Sequence, residues 1–76
     1  MYNFPEPKDM DRKYIDHVPQ EDLEDLLAHL QMRFEKVLAP QSSQERMQSL
    51  HIESLIRITR ANIAAITILE EVGARR

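Results

Sequence analysis

The sequence predicts an all-α fold, a helical hairpin that assembles with other copies of itself into a helical bundle. Three observations carry this. The chain of 76 residues has a single glycine, Gly73, close to its C-terminus. Strand-rich folds use glycine in their tight turns, so a sandwich or barrel is disfavoured. Apolar residues recur at three- and four-residue spacing through two long stretches separated by a short polar turn. The second stretch is apolar over far more of its circumference than one neighbouring helix can cover.

The size of the chain, 8.9 kDa, allows one domain. We divide it into an extended arm, residues 1–8, and a single helical-hairpin domain, residues 9–76. The arm carries Pro5 and Pro7 and little periodicity. It reads as a loose tail, with Tyr2 and Phe4 as the side chains able to dock it onto a neighbour. Residues 9–17 can form a short helix capped by Asp9, with Met10, Tyr14 and Val18 at four-residue spacing. Pro19 ends it.

The first long helix is expected over 19–39. Pro19 suits the first helical position, where its missing N–H costs nothing. Glu21, Asp22, Glu24 and Asp25 complement the positive end of the helix dipole. Leu23, Leu26, Leu27, Leu30, Phe34, Val37 and Leu38 make one stripe about 120° wide. Pro40 stops the helix. In the turn that follows, Ser42 with Glu45 matches a capping box, which makes Ser42 the N-cap of the next helix. A connection this short implies antiparallel neighbours.

The second long helix is expected over 43–72, with Gly73 as its C-cap. Leu50, Ile52, Leu55, Ile56, Ile58, Ile63, Ala65, Ile66, Ile68, Leu69 and Val72 cover about 240° of it at 100° per residue. At about 1.5 Å per residue it also outreaches the first helix. Either residues 9–18 fold back over the excess, or another protomer covers it. We expect Leu55, Ile56, Ile63, Ile66 and Leu69 to form an oligomer interface, as a dimeric four-helix bundle or a higher assembly.

Charge limits the partners. Thirteen acids against ten bases give a net −3. Residues 1–36 carry nine acids and five bases, and residues 37–76 four and five. No concentrated basic face is present, so duplex nucleic acid is not expected as a partner. No apolar run approaches the roughly 20 residues of a membrane helix. With no leader-like N-terminus and no cysteine, a cytoplasmic location is expected, the host cytoplasm if the chain is phage-encoded.

Few residues invite chemistry. His17, His29 and His51 are far apart, and no metal or other cofactor is expected. The acids at 21–25 read as dipole partners, and we expect no enzymatic activity. Thr59 and Asn62 interrupt the apolar arc, and polar side chains there need hydrogen-bond partners. They can pair across a dimer axis, where a buried Asn fixes register. Alternatively they join Arg57 and Arg60 in a polar pocket between subunits. Lys13 and Tyr14 can meet a phosphate and stack on a base, or Tyr14 can simply close the open end of the bundle.

Arg46, Leu50, Leu55 and the run Ala64-Ala65-Ile66 resemble the last helix of phage-encoded cyclic-nucleotide sponges of the anti-CBASS and Thoeris anti-defence type. Arg60-Ala61 stands where those helices commonly carry an aromatic residue. The resemblance implies a hexamer-like assembly that sequesters cyclic di- or trinucleotides between protomers without chemistry. Arg57, Arg60 and Lys13 are the cations that the local reading offers for the phosphates. The leading expectation is instead a small phage or bacterial accessory factor that binds a larger protein and inhibits or adapts it.

Overall fold

The computed structural model describes residues 4–37, 39 and 41–74, and all its regular elements are helical. Three α-helices follow one another: α1 (Arg12–Asp16), α2 (Leu23–Glu35) and α3 (Ser43–Ala74). Single 3-10 turns at Pro7–Asp9 and Gln20–Asp22 lead into the first two. The molecule measures 52 × 22 × 19 Å, and its long axis is close to the length of α3 alone.

Local chemistry sets the boundaries, and four differ from the expected ones. Pro7 opens its own 3-10 turn, and Met10 then takes an extended conformation (φ −99°, ψ 146°). The cap of α1 therefore moves from Asp9 to Asp11, whose carboxylate accepts from Tyr14 N at 2.9 Å. Pro19 is likewise extended, with ψ 147°, and its carbonyl accepts from Asp22 N. It precedes a 3-10 turn, so α2 proper starts at Leu23. At the other end α2 stops at Glu35, because Val37 N bonds to Phe34 O and tightens the last turn into 3-10 geometry. The expected contributions of Leu38 and Pro40 lie outside the described residues.

The start of α3 follows expectation in its cap, Ser42, although the return bond of the box goes to Gln41 rather than to Ser42 itself. Glu45 N donates to Ser42 Oγ at 3.1 Å, and the Glu45 carboxylate accepts in return from Gln41 N at 2.7 Å. Its end does not. Gly73 has no positive φ, and the helix runs through it to Ala74. A Cβ at Gly73 would meet nothing within 4 Å, so no packed neighbour turns the chain there. Gly73→Ala is therefore expected to raise stability by about 0.5–1 kcal/mol through helix propensity. Urea denaturation checks it, and a loss of stability would mean that the helix ends before residue 73.

The core draws on all three segments. Leu23, Leu26 and Leu30 of α2 meet Ile52, Leu55 and Ile56 of α3. Met10, Ile15 and Val18 close over them from the N-terminal segment. Residues 9–18 thus fold back over α3, but they cover its middle rather than one end. Pro7 O accepts from the His51 ring, and Asp16 accepts from Asn62, so the segment lies against α3 between those positions. Beyond the covered stretch, residues 67–73 are exposed, and so are 43–48.

Residues 4–7 of the arm dock on α2 and α3 of their own chain. Phe4 stacks obliquely on His29, with ring centroids 5.5 Å apart. His29 Nε2 donates to Pro5 O, Arg33 pairs with Glu6 at 2.8 Å, and His51 Nε2 donates to Pro7 O at 2.9 Å. Tyr2 lies outside the described residues.

Candidate functional site

The polar positions of α3 resolve within the chain. Thr59 is fully buried, and its hydroxyl donates to Leu55 O one turn back at 2.8 Å. That bond satisfies the group, so Thr59 offers nothing to a ligand or to a second copy. Asn62 is half-buried, and its amide donates to Ile58 O at 3.0 Å and to Asp16 Oδ1 at 3.3 Å. Its partner is the end of α1. Arg57 is held by Glu53 at 2.9 Å in an i,i+4 pair on an exposed face. Arg60 and Lys13 are exposed, and Tyr14 is half-buried against the core. The chain thus brings Asn62 to α1, the helix that bears Lys13 and Tyr14, while Thr59 is bonded within its own helix.

The five apolar residues expected at an oligomer interface divide. Leu55 and Ile56 belong to the chain's own core. Ile63 and Ile66 are half-buried, lining a groove with Leu23 at the start of α2. Leu69 is 70% exposed. The 240° arc is therefore partly consumed inside one chain, by α2 on one side and residues 10–18 on the other.

The remaining apolar surface lies elsewhere on α3. Met47, Leu50, Ala61, Ala65, Ile68 and Val72 are all exposed. At 100° per residue they fall within about 60° of one another, on the side of α3 opposite Leu55, Thr59 and Ile63. Ser54 and Arg57 complete this stripe, and its spacing alternates between three and four residues along the whole helix. Ala61 and Ala65 leave the backbone accessible near its centre.

Compared with protein-family models, with curated proteins and with solved structures, the chain matches none. No helix among the described residues is long and apolar enough to cross a membrane.

That stripe is what sequence reasoning missed. The signal was available in the three- and four-residue spacing of 47, 50, 54, 57, 61, 65, 68 and 72. It was hidden inside the wider apolar arc, because α3 serves two opposed faces and their residues interleave. The second omission was the pair of histidines. Each sits where its ring reaches a carbonyl of the arm, a role that no metal-ligand spacing could announce.

Proposed function

We propose that the chain is a non-enzymatic binding protein that works as a homo-oligomer, joined through the outward stripe of α3. The single observation that carries this is the exposure of Met47 (71%), Leu50 (60%), Ile68 (59%) and Val72 (51%) along one side of a helix whose other side is already packed. A second copy is the occupant that fits best. The stripe is nearly as long as the molecule, and Ala61 at its centre suits close approach of two α3 helices about a twofold axis. In an antiparallel pair centred there, Leu50 of one copy meets Val72 of the other. Small single-core chains commonly gain stability by association. The acidic outer side of α2, with Glu24, Asp25 and Glu35 exposed, is then the surface turned toward a larger, basic protein partner.

Light scattering on the purified chain tests the assembly. The expected result is a mass that is a multiple of 8.9 kDa. Leu50→Lys with Ile68→Lys should reduce it to one chain while leaving helix content intact, because both residues are exposed. A monomeric wild-type chain at micromolar concentration would overturn the proposal.

A further inference from the structure

The arm, the end of α2 and the first half of α3 enclose a half-open cavity of about 370 Å³. It lies apart from the α3 stripe and uses none of the stripe's residues. Its apolar part is made by Pro7, Val37 and Ile52. Lys8, Arg33 and Lys36 contribute three cations to its wall, against one acid, Glu6. This is an unusual concentration in a chain with net charge −3. Glu6 is already committed to Arg33 at 2.8 Å. Lys8 and Lys36 are exposed at the rim and have no acidic partner among the described residues. The cavity therefore carries a local surplus of two positive charges beside an apolar wall.

From this juxtaposition we propose that the cavity binds a small organic anion, an aliphatic or aromatic body bearing one carboxylate or phosphate group. The apolar body lies against Pro7, Val37 and Ile52, where burial of carbon is favourable. The acid group sits between the Lys8 and Lys36 ammonium groups, which are free to turn toward it. The Glu6–Arg33 ion pair fixes the arm and so keeps the cavity open. The site is formed by the folding of the arm onto both long helices. It requires residues from Glu6 through Ile52 folded together.

Fluorescence titration with 8-anilinonaphthalene-1-sulfonate tests this, with N-phenyl-1-naphthylamine as the same aromatic body lacking the acid. The sulfonate dye should bind one site per chain. Lys8→Met and Lys36→Met should each weaken it about threefold to fivefold, the range of a partly exposed charge pair, and added salt should weaken it further. The neutral dye should be indifferent to both substitutions. Octanoate and octyl phosphate should displace the sulfonate dye, and the better competitor identifies the acid group. Both lysines are exposed, so an unchanged melting curve accompanies the expected result. Equal affinity of both dyes, no effect of either lysine, or failure of both competitors would overturn the proposal. So would loss of the dye signal in the Leu50→Lys, Ile68→Lys chain, because that would place the dye on the α3 stripe.

Discussion

Leu30→Ala is expected to cost about 2–5 kcal/mol. Leu30 is fully buried, with 0% of its surface exposed, at the centre of the contact between α2 and α3. Full burial of a leucine side chain is worth about 1.5–3 kcal/mol, and the cavity left behind adds to the loss. Single domains commonly hold only about 5–15 kcal/mol in total, and short ones sit at the lower end. The variant should therefore be largely unfolded in mild urea, where the native chain is still helical. Denaturation followed by far-ultraviolet circular dichroism gives the answer. A loss below about 1 kcal/mol would mean that the contact between the two long helices is not the principal source of stability.

Ile15→Ala tests the other half of the core, with an expected loss of the same order, about 2–5 kcal/mol. Ile15 is 1% exposed although it sits in a helix of only five residues. Such a helix has no independent stability, since helix nucleation is unfavourable and short helices are marginal in water. α1 persists because Ile15, with Met10 and Val18, joins the core that Leu55 and Ile56 form with α2. The decisive measurement is a paired one. If Ile15→Ala lowers the melting temperature as strongly as Leu30→Ala, in one transition, the three segments form a single cooperative unit. A small effect, with α1 fraying alone, would make the N-terminal segment an accessory to a two-helix core.

The helical class and the positions of the long helices were legible in the sequence because periodicity and capping act locally. Ser42 and Glu45 specify the start of α3 within four residues of chain, and the Ser42 cap bond forms as expected, while Glu45 reaches one residue further back to Gln41 N. The ends of α2 were misjudged because both depend on competition between α and 3-10 geometry around Pro19 and Phe34. That competition is worth little energy and leaves no pattern. Gly73 was misjudged for a related reason: glycine ends a helix where the chain must turn, and nothing at residue 73 requires a turn.

The candidate site was legible only in part. Thr59 and Asn62 announced themselves as polar residues in an apolar arc, and both do hold hydrogen bonds. Their partners could not be read. Asp16 lies 46 residues from Asn62, and only the return of α1 onto α3 brings them together. The arc itself gave the correct total of apolar surface but not its division. Residues 10–18 supply the third partner, one of the two alternatives that the excess length of α3 offered, but over its middle rather than its end.

The return of the arm also governs when the molecule can form. Phe4 through Asp16 are synthesised before the groups that receive them. The Pro5 carbonyl waits for His29, the Pro7 carbonyl for His51 and the Asp16 carboxylate for Asn62. Gln20 in turn bonds to Glu70. The last of these contacts spans 50 residues of a chain of 76. Residues 4–37 hold only part of the core, whose other members, Ile52, Leu55 and Ile56, lie on α3, so the core cannot close before that stretch of α3 is made. Such long-range closure slows folding relative to a bundle with local contacts alone. Until Ile52, Leu55 and Ile56 pack on them, Leu23, Leu26 and Leu30 stay uncovered, and the nascent chain is exposed to aggregation and proteolysis.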